Sequence, residues 1–242
     1  MADDRSAPDA GPGDRLRRRQ IERQALSISV ALAPFGLVFG VACVQAGLGL
    51  AEAIGFSALV FTGSAQFAAV GVLGDGGGVA AAISAGLLLN IRSLAFGVLL
   101  APALTGPRWL RALFAQLVID ESTAVATSQT ERRWQRYGFL AGGLGVFTVW
   151  NLSTVVGVLL ATDDAFIEDL GLDAAAPAAF LALLWPRLVG PGGAQGRRIA
   201  FAGAVVAAAA VPLAPPGIPI LLAGLGVLAA GRGPVPRGGD VA

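Results

Sequence analysis

The chain has 242 residues, 55% of them hydrophobic and only 14% charged, with mean hydropathy +0.71 and formal net charge +1, a composition that excludes a soluble globular domain and reads as an integral membrane protein. One cysteine and no histidine exclude a disulfide framework, a Cys/His zinc site and histidine-ligated haem. Every basic residue is arginine, which excludes a Walker A lysine, a PLP Schiff base and a lysine nucleophile, and with them ATP hydrolysis by this chain; no cofactor is expected.

Residues 1–24 read as a disordered cytoplasmic tail. Its arginines, Arg15, Arg17, Arg18, Arg19 and Arg23, are a topology anchor under the positive-inside rule rather than a nucleic-acid site. Residues 25–231 read as one transmembrane domain, and 232–242 as a short cytoplasmic tail. A secretory signal over 15–43 is rejected, because the apolar run is too long and Gly40 stands where a lipoprotein cleavage box needs leucine.

Apolar runs of spanning length occupy 26–45, 53–73, 79–101 and 137–161, with shorter ones at 113–127, 174–189, 199–212 and 217–230. The fold class is therefore an all-α, polytopic helix bundle of about seven to eight transmembrane segments, at least one of them broken or re-entrant. Arg132, Arg133 and Arg136, then Arg187, Arg197 and Arg198, then Arg232 and Arg237 mark cytoplasmic stretches, while Asp163, Asp164, Glu168, Asp169 and Asp173 form an outer acidic loop. Eight crossings, the favoured count, leave one violation of the rule, since Arg108 and Arg111 then fall outside; a re-entrant segment would move them inside and lower the count.

Pro34 is expected to kink the first segment, and the pairs Gly36/Gly40 and Gly138/Gly142 to let helices approach closely. Glu52 suits a helix start. The run from Gly74 to Gly78 lacks phosphate-loop spacing and is a flexible connection. The Asn151-Leu152-Ser153 triplet lies within an apolar run, out of reach of glycosylation.

Three polar islands resist explanation by helix packing. In FTGSAQF, Gly63 and Ser64 interrupt an uncharged segment and offer free backbone N–H groups, which suit a carboxylate. In LLLNIRSLAFG, Asn90 shares a helical face with Gly86, Ser93 and Gly97, while Arg92 lies about 160° away and needs a partner or a water path. In LVIDESTAVAT, Asp120 shares a face with Thr123 and Thr127, and Glu121 points about 100° aside.

In order and spacing, TGSAQF, LNIRSLAFG and VIDESTAVA resemble the three signature stretches of the AzlC family of branched-chain amino-acid permeases. The stretches NLSTVVGVLLA, APAAFLALL and GIPILLAGLG are similar to its later helices. The resemblance implies a secondary exporter of hydrophobic amino acids such as valine, leucine and isoleucine, working in the bacterial inner membrane with a small AzlD-like membrane subunit. It carries over onto Gly63, Ser64, Gln66, Phe67, Asn90, Arg92, Asp120 and Glu121. Ser93, Phe96 and Thr123 depart from the residues common in the family, which bears on substrate choice.

A zwitterion with an apolar side chain needs three things. Gly63, Ser64 and Arg92 are expected to hold its carboxylate, Asn90 and Asp120 its ammonium, and Phe61, Phe67 and Phe96 its side chain, with Gln66 in the same island. With no nucleotide motif, the proton gradient is the expected drive, and Glu121 the group that titrates. The alternatives are a non-transporting scaffold, in which the islands are interhelical glue, and a solute channel. A serine hydrolase built on Ser64 lacks any base.

Overall fold

The computed structural model describes residues 11–161, 193–215 and 217–230, together with 178, 181, 184, 185 and 188–190. The acidic loop at 163–173, most of the segment at 174–189 and the tail at 232–242 lie outside the described residues. Within them the regular structure is helical: α1 Pro12–Ala31, α2 Ala33–Gln45, α3 Leu50–Leu59, α4 Gly63–Gly74, α5 Val79–Leu100, α6 Arg108–Gln116, α7 Asp120–Thr127, α8 Arg132–Leu160, α9 Gly193–Ala210 and α10 Ile218–Ala223, followed by a 3-10 turn Gly224–Ala230.

Three stretches are long and apolar enough to cross a membrane: Pro12–Gln45, Val79–Leu100 and Arg132–Leu160. The first is two helices, α1 and α2, joined at Leu32 with Pro34 in the first turn of α2, as the missing proline N–H requires. The tail expected through residue 24 is corrected, since α1 is helical from Pro12. It docks on the start of α8: Arg17 bonds Gln129 at 3.2 Å and Glu131 at 2.7 Å, and with Arg133 it brackets the buried Trp134 ring.

The expected spans at 53–73 and 113–127 do not cross. The C-terminal end of α4 lies beside that of α2, since a Cβ on Gly74 would sit 3.6 Å from the Ala46 Cβ. The chain thus enters α3 and leaves α4 on the same face, away from the start of α1. At the break, residues 60–62, Gln66 of α4 reaches back to the last turn of α3. The second pair is inverted. The 101–107 loop, just before α6, receives Arg136 of α8 at Thr105 O, and the turn after α7 meets α1 through Ser128 and Gln24. So α6 starts and α7 ends on the arginine-rich face. Arms of 8 to 12 residues are ~12–18 Å long, about half of a ~30 Å hydrocarbon core.

The result is two units of one design, each a re-entrant helix pair followed by a long helix. In α3–α4–α5 the connections are 60–62 and 75–78; in α6–α7–α8 they are 117–119 and 128–131, of matching lengths. Each unit crosses once, so the two are inverted relative to each other. This removes the violation expected at Arg108 and Arg111, which now share a face with Arg17, Arg133 and Arg136. The long helix α8 is the common backstop. It packs on α2 where Gly36 faces Trp150 and Ser153 and Gly40 faces Thr154, and on α7 where Gly138 and Gly142 face Val125.

Candidate functional site

All three breaks in the helices border one cavity of about 610 Å³. Leu32 and Phe35 come from the kink between α1 and α2, Phe61 to Ser64 from the first hairpin tip, and Ile119 to Glu121 from the second. Leu89, Arg92 and Ser93 of α5 and Val146 and Trp150 of α8 complete most of the wall. Val146 and Trp150 lie midway along α8, which puts the cavity at mid-depth.

The three polar islands meet through Arg92. Its Nη1 pairs with Asp120 Oδ2 at 2.7 Å, and its Nη2 donates to Ser64 Oγ at 2.8 Å. The partner demanded by an arginine at this depth is thus a carboxylate from the opposite unit. Both side chains of the pair remain about one-third exposed, 37% and 34%, so a ligand in the cavity can reach them. Glu121 also lines the cavity, leaving two carboxyl groups to one guanidinium. The α4 N-terminus, with Thr62 as N-cap and no side-chain cap, opens into it as well, presenting free N–H groups and the positive end of a helix dipole.

Gly63 lines the cavity, where a Cβ would press on Trp150, 3.1 Å from its Cη2. Phe67 lines it too, its ring edge-on to Phe39 at 5.6 Å and to Trp150 at 6.2 Å. Three expected binding residues sit elsewhere. Gln66 is fully buried and donates to Phe56 O at 3.3 Å and Ser57 O at 3.2 Å, so its amide closes the hairpin instead of facing the cavity. Asn90 accepts a hydrogen bond from Ser93 Oγ at 2.6 Å and is not part of the wall; Ser93 is. Phe96 is also absent from the wall, since it lies one turn beyond Arg92 on α5.

Sequence reasoning missed Trp150, Phe35 and Val146. Each sits inside an apolar run with nothing in its spacing to set it apart. Trp150 is 5% exposed, and its buried indole N–H has no partner among the described residues. The Pro34 kink was legible, but not that it turns Leu32 and Phe35 toward a cavity. Among the described residues no group of acidic, histidine or cysteine side chains is arranged to hold a metal ion.

A family model described as "AzlC protein" matches residues 27–162, a stretch that contains α2 to α8 and every polar group of the cavity. The chain belongs to this AzlC family. One relative is the "Inner membrane protein YgaZ" of Escherichia coli, 24% identical over 140 residues, which are 56% of this chain and 57% of that protein. Another is an "Uncharacterized membrane protein" of Archaeoglobus fulgidus, 30% identical over 189 residues, 75% of this chain and 79% of that one. The chain thus spans little more than half the length of the Escherichia coli relative. No solved structure matches it. Membership of a family of membrane proteins agrees with the apolar helices, so this AzlC protein is a membrane protein.

Proposed function

We propose that this chain is the larger subunit of a two-component secondary transporter that exports branched-chain and other hydrophobic amino acids. One observation carries the reading: two half-crossing hairpins of opposite sense bring Ser64, Asp120 and Glu121 to Arg92 of α5 at mid-depth, in a cavity otherwise walled mainly by Phe35, Phe61, Phe67, Val146 and Trp150. A packing role would not leave an ion pair one-third exposed and facing a cavity of this size. The free N–H groups of α4 and the Arg92 guanidinium suit a carboxylate, Asp120 and Glu121 suit an ammonium, and the aromatic wall suits an aliphatic side chain. The substrate's own charges replace those of the Arg92–Asp120 pair.

Nothing is transformed chemically; the protein is a carrier and not an enzyme. The carboxyl in excess over Arg92 gives the site a group that a proton or an ammonium can neutralise in turn, which supports Glu121 in proton coupling. The positive-inside rule sets the arginine-rich face, with the start of α1, in the cytoplasm of a bacterial inner membrane. The small partner subunit is of the AzlD type. Counterflow of labelled valine in vesicles holding both subunits tests the reading. A carrier accumulates label against its gradient; a channel or a scaffold does not.

A further inference from the structure

A helix that ends inside a membrane protein leaves four backbone carbonyls to be satisfied by something other than water. At the end of α3, where Phe56 O already accepts from Val60 N–H at 3.0 Å, two glutamine amides take those of Ser57, Ala58 and Leu59. Gln66, on the returning arm of the same hairpin, covers Phe56 O and Ser57 O. Gln116, the last residue of α6 in the opposite hairpin, donates from Nε2 to Ala58 O at 2.7 Å and to Leu59 O at 3.1 Å. The second tip has its own internal bond, from Ser122 Oγ of α7 to Leu117 O at 2.6 Å. Each tip is thus held together from within, and Gln116 joins one tip to the other.

The two amides differ in the way that matters for motion. Gln66 is fully buried, and its bond to Ser57 O is buried with it. Gln116 is half-buried, and its bond to Leu59 O lies at the protein surface. It also stands outside the cavity wall. Two further polar links join the units: the hydroxyls of Ser57 and Thr154, buried and 3.3 Å apart, tie α3 to α8, and Arg92–Asp120 is inside the cavity, where a ligand's charges compete with it.

We propose that Gln116 is a positioning residue, a latch across the seam between the two inverted hairpins, whose two hydrogen bonds break and re-form as the cavity opens and closes while each tip moves as a unit. The latch rests on the transport reading only for what its opening serves. Once a ligand has loosened Arg92 from Asp120, the Gln116 amide still bonds one tip to the other. Losing two neutral hydrogen bonds of ordinary strength shifts such an opening equilibrium roughly tenfold or more.

The test needs no transport. In a chain with Cys43→Ala and Leu89→Cys, the single thiol lies in the cavity wall, and its rate of reaction with a charged methanethiosulfonate is measured in lipid nanodiscs, where both faces are open. Gln116→Leu is expected to raise that rate about tenfold. Gln116→Glu, measured relative to the Gln116 parent at each pH, is expected to be fast at pH 8 and to move part of the way back toward the parent at pH 5, because a neutral carboxyl can donate its one O–H to a carbonyl and a carboxylate cannot. Should Gln116→Leu fail to fold, the pH response of Gln116→Glu decides. Unchanged labelling in Gln116→Leu, or equal relative rates at both pH values in Gln116→Glu, would overturn the latch, even if valine counterflow were intact. Faster labelling in a protein that shows no counterflow keeps the latch and removes the transport reading.

Discussion

Arg92 bonds both Asp120 and Ser64, so its guanidinium fork is used on two sides at once. Arg92→Ala leaves Asp120 unpaired and removes the carboxylate site, and labelled-valine exchange in vesicles is expected to fall at least about tenfold while the protein stays monodisperse. Arg92→Lys should restore little, because an ammonium lacks the planar fork that reaches both partners; full exchange in the lysine variant would mean that charge alone suffices. Gly63 lends itself to a double-mutant test. A Cβ there presses on Trp150, so Gly63→Ala is expected to cost about 1 kcal/mol, most of it recovered in a Trp150→Phe background. Melting temperatures of the four proteins decide it, and simple additivity would mean that the contact is relieved elsewhere.

At the scale of the helices, the crossing of α2 on α8 depends on glycine from both sides. A Cβ on Gly157 would run into the Leu37 carbonyl oxygen, which is backbone and cannot swing aside. Gly157→Ala is therefore expected to destabilise the protein by about 1–3 kcal/mol, seen as a lower melting temperature, whereas Gly55→Ala, at a position open around its Cβ, should not. The hydrogen bond from Arg133, with Arg17 nearby, holds the Glu131 carboxyl below its ordinary value of 4.5. A group depressed on folding contributes above its unfolded pKa and loses that contribution as pH falls through the folded one. Docking of α1 on α8 should thus weaken a little below pH 4.5, and Glu131→Gln should flatten that acid limb of the melting curve. The effect is small, since the pair is exposed to solvent.

For the whole molecule, the inverted hairpins make a prediction about sidedness. Single cysteines at Gly47 and Asp75 should react from one face of the membrane, and those at Thr105 and Ser128 from the other. Unbroken crossings at 53–73 and 113–127 would instead put Gly47 with Thr105 and Asp75 with Ser128, so two labelling experiments on oriented vesicles distinguish the arrangements. The hairpin arrangement also accounts for why no repeat is visible in the sequence. The units share lengths and breaks, but α5 buries little of itself within the chain while α8 is buried against α1, α2, α3 and α7, and different surroundings select different side chains.

The membrane class, the kink at Pro34, the close-packing glycines and the three polar islands were all legible in the sequence, because each follows from a local property: solvent preference, a missing N–H, a missing side chain, or a charge that cannot sit in hydrocarbon alone. Which segments cross was not. A run of twenty apolar residues is equally compatible with one span and with two half-spans, and only the return of Gln66 onto α3 and of the α7 end onto α1 decides between them. The same holds for individual roles. Gln66 and Arg92 look alike as polar residues in oil, yet packing turned one inward to close a hairpin and the other toward a cavity, and it brought Trp150 to that cavity from a helix whose sequence gives no sign of it. Hydrophobicity is read one residue at a time; a site is made by the contacts between residues far apart in the chain, and those are set by the tertiary structure.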